Sequence, residues 1–166
     1  MGDRPAHPAL FAVKAQDLAL SSQALLGLMR AVLSRGLPFR FCARGWSMAP
    51  FIQDGDVITV APLQHCLPGV GDVVAFVRPV DERLVVHRVI ARRTSAVLIQ
   101  GDNETTYPDG FIPHQALLGR VTRIERHGRT VWLGLGLERY AIAWLSRSLL
   151  LIPLRNHLAA WIKPFS

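Results

Sequence analysis

The chain is poor in the residues that support redox or metal chemistry. Its 166 residues include two cysteines, Cys42 and Cys66, and no Cys-x-x-Cys pair. The six histidines are scattered, and none pairs with another at metal-binding spacing. We therefore expect no metal and no cofactor. Both cysteines are predicted to be small buried residues, with a single disulfide between them as the alternative.

Long uncharged apolar runs are also missing. No run reaches the length of about 18 residues that marks a clear transmembrane helix. The first residues include Asp3, Arg4 and two prolines, which is unlike a signal peptide. A dinucleotide fingerprint, a P-loop and internal repeats are absent as well, so these nucleotide-binding and repeat architectures are excluded.

Acidic residues are scarce relative to basic ones. Twelve Asp and Glu stand against 19 Lys and Arg, which gives a net charge of +7, and half of the residues are hydrophobic. A chain of this length can bury the core of one domain. The positive charge favours anionic partners such as lipid head groups or nucleic acid. Because the basic residues form no dense run interleaved with aromatics, we expect no nucleic acid.

The pattern of apolar residues divides the chain into three segments. Residues 1–38 are predicted to form a loose arm and an amphipathic helix over 16–34. Residues 39–133 alternate short β-rich runs with Gly, Pro and Asp turns, which is typical of an antiparallel, mostly-β barrel or sandwich. The predicted strands of this domain are 39–43, 57–61, 72–78, 84–92, 96–100, 118–125 and 130–133.

The third segment, residues 134–166, is an apolar and basic tail. Pro153 breaks it into short helical pieces. Trp and Leu mixed with Arg are typical of a helix at a membrane interface, whereas Arg147 argues against a conventional span. Three alternatives stay open: anchoring on an anionic membrane surface, docking on the domain or a partner protein, and a short or tilted span. The expected localisation is accordingly membrane-associated or cytoplasmic.

One serine stands where a stiff backbone can present its hydroxyl. Ser47 lies in residues 45–50 (GWSMAP), between a glycine and a Met-x-Pro bend, and Gly-Asp follows at 55–56. A nucleophile needs a fixed Oγ with room for a substrate carbonyl and for a base. Because most loop serines have no such role, the rest of the chain has to supply the base.

A histidine and two aspartates follow downstream. His87 lies in the apolar run 85–90, Asp102 in a Gly-Asp-Asn turn and Asp109 in an Asp-Gly turn. Taken singly, each fits a structural role in the core or in a turn. Together with Ser47 they can form a triad, in which a carboxylate holds the imidazole in the tautomer that accepts the serine proton.

These segments together resemble the ordered boxes of type I signal peptidases, in the branch of this S24/S26-like superfamily that uses a Ser–His pair. The boxes are residues 45–56, 71–76, 87–89 and 101–103, and the resemblance covers roughly residues 39–122. The first box, Gly-x-Ser-Met with its following Gly-Asp, is shared with the self-cleaving LexA-type repressors.

The resemblance implies a mostly-β peptidase domain, flanked by N- and C-terminal helices, that cleaves a signal or leader peptide after small residues. Ser47 would be the nucleophile and a backbone oxyanion donor, and His87 the general base. Asp109 ranks ahead of Asp102 as the partner of His87, with Asp102 supporting the site from its turn. Met48 and Pro50 are expected to contact the substrate, which is a precursor protein or leader peptide.

Two other functions fit parts of the pattern. A LexA-like self-cleaving regulator would need a DNA-reading domain and a cleavable linker, yet only about 40 residues precede the serine box, with no helix-turn-helix pattern. A non-catalytic basic module would keep the boxes as scaffold and bind a membrane surface or nucleic acid in a salt-dependent manner.

Overall fold

The computed structural model describes residues 22–63, 67–103 and 108–147. The start of the predicted helix 16–34, Cys66 and the tail beyond residue 147 lie outside the described residues. The elements are α1 (Ser22–Leu33), β1 (Phe39–Cys42), β2 (Val57–Pro62), β3 (Val73–Val77), β4 (Leu84–Arg92), β5 (Ala96–Gln100), β6 (Gly110–Pro113), a 3-10 turn (His114–Ala116), β7 (Leu117–Arg126), β8 (Arg129–Val131) and α2 (Arg139–Arg147).

Helix α1 is amphipathic and packs one face on the sheet. Leu26, Met29 and Leu33 recur at three- and four-residue spacing and are buried. The helix ends where Gly36 takes a positive φ of 76°, a conformation that glycine adopts without steric cost, and its amide bonds to the Leu33 carbonyl. The helical prediction is confirmed for the part of it that the structure describes.

The strands form one antiparallel sheet, in the order β1-β2-β7-β3-β4-β5-β6, with β8 paired to β7. The mostly-β prediction is confirmed, and each of the seven predicted strands is present. Strand β6 was not predicted, because Gly110–Pro113 is only four residues long and ends in proline. Cys42, predicted to be buried, is half-buried because it ends the edge strand β1.

Strand β3 separates two hydrophobic cores. Successive side chains of a strand point to opposite faces of the sheet. Val73 and Ala75 therefore join the core beneath α1, whereas Val74 and Phe76 join a second core with β5 and β6. Since β3 also pairs with both β4 and β7, it fixes β4 in the middle of the sheet.

Helix α2 docks on the domain through one side. Ile142, Ala143 and Ser146 are buried, and the helix contacts β4. Tyr140 and Trp144, on the other side, are 50% and 63% exposed. Neither helix of the described ranges combines the length and the apolar character needed to cross a bilayer.

Candidate active site

Ser47 lies in the turn that follows β1, and hydrogen bonds hold the backbone on both sides of it. The Gly45 amide donates to Asp54 Oδ1 at 2.9 Å, and Gly45 has a φ of 93°. From the far side of the turn, Asn103 donates its amide to the Ser47 carbonyl at 2.7 Å and its Nδ2 to the Trp46 carbonyl at 2.8 Å. The half-buried serine is therefore presented by a fixed backbone.

His87 on β4 lies between Ser47 and Asp109. Its Nε2 is 2.8 Å from Ser47 Oγ, and its Nδ1 is 2.5 Å from Asp109 Oδ2. The imidazole and the carboxylate are 3% and 4% exposed, and the ring packs at a tilt against Phe76 with 6.3 Å between ring centroids. Burial and packing limit the ring to a single orientation, with one nitrogen toward the serine and the other toward the aspartate.

A backbone hydrogen bond fixes the position of Asp109, and an arginine lies near its carboxylate. Its amide bonds to the Ile99 carbonyl of β5 at 2.9 Å. Its Oδ1 is 3.6 Å from Arg78 Nη1. The same guanidinium makes two hydrogen bonds to Asp81 and thereby lowers the pKa of the Asp81 carboxyl. Arg78 therefore lies between two carboxylates, that of the exposed Asp81 and that of Asp109, the partner of His87.

Asp102, the alternative partner of His87, lies against Arg88 instead. Its two carboxylate oxygens accept Arg88 Nε at 2.8 Å and Arg88 Nη2 at 2.7 Å, and both side chains are fully buried. Arg88 Nη1 also donates to the Gly71 and Gly134 carbonyls, each at 2.8 Å. Because neighbouring residues of a strand face opposite sides, His87 and Arg88 reach different carboxylates.

The ion pair supports the serine turn indirectly. Asp102 precedes Asn103, the residue whose amide and side chain hold the backbone at Ser47. Ser146 of α2 lies within 3.4 Å of the same carboxylate, so the docked helix also touches the pair. Asp102 therefore positions the turn that holds the serine, while both of its carboxylate oxygens accept hydrogen bonds from Arg88.

The three Gly-Asp pairs, at residues 55–56, 71–72 and 101–102, each place a buried aspartate against an arginine. Asp56 accepts Arg126 Nε at 2.8 Å, and Asp72 lies 3.1 Å from Arg139 Nη1, in the same way that Asp102 accepts Arg88. All three aspartates are buried. Each box thus places one carboxylate at a turn and neutralises it with an arginine from another element.

A cleft of about 490 Å³ opens beside Ser47 and His87. One wall is the edge strand β1 with the residues after it, and the other is the first half of β4. Within the described residues, β4 pairs with β5 only from Arg88 onward, which leaves the Leu84–Val86 edge without a strand partner on that side. Of the predicted substrate contacts, Met48 lines the cleft, whereas the half-buried Pro50 does not. The other lining residues are Leu25, Phe41, Cys42, Ala43, Arg44, Gly45, Ile52, Arg78, Arg83, Leu84, Val85 and Val86.

One further group, a backbone amide, completes the chemistry available at the cleft. Among the described residues, the Ser47 amide donates to no protein acceptor, so it is available to a bound carbonyl oxygen. In the same ranges, His, Cys, Asp and Glu form no group of three or more that could hold a metal ion. The site therefore offers a hydroxyl, an imidazole with a carboxylate behind it, and a backbone donor.

The roles of Arg88, Asn103 and Arg78 were not predicted. The signal for Arg88 was present, since a charged residue inside the apolar run 85–90 requires a buried acidic partner. Asn103 and Arg78 gave no comparable signal, because their contacts come from turns far apart in the sequence.

Comparison with known proteins identifies the family of the chain. A family model described as Peptidase S24-like matches residues 28–122, which is more than half of the chain. The match runs from α1 into β7 and includes Ser47, His87, Asp102 and Asp109. A search of the curated proteins finds no match. The predicted membership of the S24/S26-like superfamily is confirmed, and the chain belongs to the S24-like peptidase family.

Proposed function

We propose that this protein is a serine endopeptidase in which Ser47 is the nucleophile, His87 the general base and Asp109 the group that orients the imidazole. The proposal rests on one observation, the continuous chain of contacts from Asp109 through His87 to Ser47 Oγ at 2.5 and 2.8 Å. These are the distances that proton transfer from a serine hydroxyl requires.

In the proposed reaction, Ser47 Oγ attacks the scissile carbonyl while His87 Nε2 takes the hydroxyl proton. Asp109, on Nδ1, stabilises the imidazolium that forms. The tetrahedral intermediate collapses when the imidazolium gives that proton to the leaving amine, which leaves an acyl ester on Ser47. Water then attacks the ester with His87 again as base, releasing the acid product and restoring the serine hydroxyl.

The Ser47 amide is the proposed oxyanion donor. It is the backbone N–H of the attacking residue itself, and no protein group of the described ranges occupies it. A donor aimed at the developing oxyanion stabilises the transition state more than the ground state. Gly45 provides no side-chain hydroxyl two residues earlier, so a second donor would have to be another group at the cleft.

The proposed substrate is a signal or leader peptide bound as an extended strand. Among the described residues, β1 and the Leu84–Val86 part of β4 each have one edge without a strand partner, and both line the cleft, so their backbone groups can pair with such a strand. Cleavage after small residues is supported by the resemblance of the four boxes to those of type I signal peptidases.

The test is labelling by a serine-directed acylating probe, together with cleavage of a peptide with an Ala-x-Ala site. We expect Ser47→Ala to abolish labelling and to lower kcat by about 10⁴-fold or more with the thermal midpoint retained. The matched control is Ser34→Ala, which removes an exposed hydroxyl at the end of α1. Unchanged labelling or cleavage by Ser47→Ala would contradict the proposal.

Self-cleavage is the second candidate, since LexA-type repressors share the serine box. Helix α1 supports it, because Leu25 of this helix lines the cleft, so a segment of the chain itself adjoins the site. Incubation of purified protein, followed by mass spectrometry, would show a Ser47-dependent product at a rate independent of protein concentration. A stable intact chain that cleaves added peptide would instead support action on a separate substrate.

The exposed side of α2 supports association with an anionic membrane surface. Leu137, Tyr140, Trp144 and Arg147 follow one another at three- and four-residue spacing and are all exposed, and Trp132 is 81% exposed. Aromatic and aliphatic side chains beside arginine are suited to the head-group region.

Vesicle sedimentation tests this association. We expect binding to vesicles that contain phosphatidylglycerol, weak binding to phosphatidylcholine alone, and a loss of about tenfold in Trp144→Ala. Trp46→Ala is the matched control, since Trp46 is 65% exposed beside Ser47. Equal binding to both vesicle types would contradict an electrostatic surface, and equal losses in both variants would contradict its placement on α2.

A further inference from the structure

The walls of the cleft have an unbalanced positive charge. Arg44, Arg78 and Arg83 line it, and none of the described residues that line it is acidic. Arg78 is engaged by two hydrogen bonds to Asp81, at 3.1 and 2.9 Å. The contacts of the other two arginines with carboxylates are longer: 3.8 Å from Arg44 to Asp54, and 3.7 Å from Arg83 to Asp81.

Arg44 and Arg83 are therefore the guanidinium groups available to a ligand. Their side chains are 78% and 73% exposed, compared with 30% for Arg78. Exposed ion pairs at such distances contribute little to stability. A bound peptide carboxylate can replace them at small cost, and the planar guanidinium can pair with it through two parallel hydrogen bonds.

The two arginines occupy defined places along the proposed path of the substrate. Arg83 immediately precedes the Leu84–Val86 part of β4 that lines the cleft and is four residues before His87. At about 3.3 Å per residue, this places it roughly 13 Å along β4 from the histidine. Arg44 is on the opposite wall, three residues before Ser47. An extended peptide cleaved at Ser47 would therefore pass Arg83 about four residues from its scissile bond.

We infer that the cleft selects peptides with an acidic residue about four positions from the scissile bond, with Arg83 as the main specificity residue and Arg44 as its counterpart across the cleft. This inference rests on the proposed function, since it uses the same cleft as the substrate site. It narrows the substrate class from extended peptides in general to precursors with Asp or Glu near the cleavage site.

Peptide binding tests the inference without requiring turnover. The probes are fluorescent peptides with an Ala-x-Ala site in which a single Asp is moved along the sequence, each paired with the Asn version. With the Ser47→Ala protein, we expect Asp to lower Kd by about five- to tenfold over Asn at one position and little elsewhere. Equal Kd values for the Asp and Asn series, or no binding by either, would overturn the inference.

Arginine variants in the Ser47→Ala background identify the contact. Arg83→Gln should abolish the Asp preference, and Arg83→Glu should transfer it to Lys at the same position. Arg92→Gln, at the other end of β4 and exposed, is the matched control and should leave the ratio unchanged. A preference that survives Arg83→Gln but disappears in Arg92→Gln would overturn the inference in favour of the general positive charge of the protein.

The result separates this inference from the proposed function. Loss of cleavage in Ser47→Ala with no Asp preference would leave the peptidase standing and remove the acidic specificity. Retained cleavage in Ser47→Ala would remove the proposed nucleophile, whereas the Asp preference would still report on the cleft.

Discussion

The two faces of β4 place two neighbouring polar residues, His87 and Arg88, in different environments. His87 faces a half-buried serine and an open cleft, with Asp109 behind it. Arg88 faces the closed interior, where Asp102 and two backbone carbonyls accept its hydrogen bonds. Each residue has one aspartate, yet only the first pair has space beside it for a substrate.

The different surroundings of His87 and Arg88 show how a reactive site can also have a rigid backbone. The Arg88 side is fully buried and its charges are paired, so it fixes the turn that holds the Ser47 backbone. The His87 side leaves the serine hydroxyl facing the cleft, where it can exchange its proton. Two neighbouring positions of β4 thus have different roles: Arg88 stabilises the turn, and His87 is available for chemistry at Ser47.

Of the substitutions that compare the two faces of β4, the one with the largest expected effect exchanges Asp109 for its amide. Asp109→Asn should lower kcat/KM by about 10³–10⁴-fold, because the amide no longer stabilises the imidazolium or fixes the tautomer. The thermal midpoint should change little. Peptide cleavage and a melting curve measure the two quantities, and near wild-type activity would show that Asp109 does not support His87.

An exchange of Asp102, the partner of Arg88, for its amide should mainly lower the stability of the fold. Asp102→Asn leaves the buried Arg88 without its anionic partner, which costs about 3–5 kcal/mol of unfolding free energy. Urea denaturation measures it, with Asp54→Asn as a control at a half-exposed carboxylate that should cost less than about 1 kcal/mol. A cost for Asp102→Asn no larger than the control would show that the pair is dispensable.

A smaller and pH-dependent effect is expected at Glu138, which supports the outer end of the Arg88 side. Backbone hydrogen bonds from its own amide and from Gly134 and Gly136 hold the pKa of Glu138 below its usual value. A lowered folded-state pKa stabilises the fold above the unfolded-state pKa, and this stabilisation is lost as the pH falls through the folded-state value.

Glu138→Gln should therefore lower the thermal midpoint slightly near neutral pH, and the difference from wild type should shrink in acid, where the carboxylate is protonated. Melting curves across pH for both proteins, with Glu82→Gln as an exposed control, measure the trend. A difference that grows on acidification would contradict the assigned hydrogen bonds.

Sequence pattern was sufficient for every strand except β6 and for the residues that converge at Ser47. Turn signals and β-branched runs marked seven strands, and the apolar periodicity marked α1. The residue pattern alone could not decide whether Asp102 or Asp109 is the partner of His87, because both stand in turns and either could reach a histidine. That choice depends on strand alternation at His87 and Arg88, together with the pairing that brings Asp109 alongside β5.

Other features depended on contacts that no local pattern encodes. The positive cleft arises because the residues after β1 and those at the start of β4 line the same opening, which brings Arg44 and Arg83 to its walls. The docked side of α2 was one of the open alternatives, since an amphipathic segment with Trp and Arg suits either a protein or a membrane surface. Packing of Ile142 and Ala143 on the domain leaves only its other side exposed.

The edges of β1 and of Leu84–Val86 that have no strand partner among the described residues also bear on solubility. Unpaired strand edges are sites where a second copy of a chain can add a strand and begin to aggregate. Arg44 and Arg83 stand at the ends of these edges, where like charges on two copies would repel each other. The same arginines that line the cleft are thus expected to disfavour self-association through these edges.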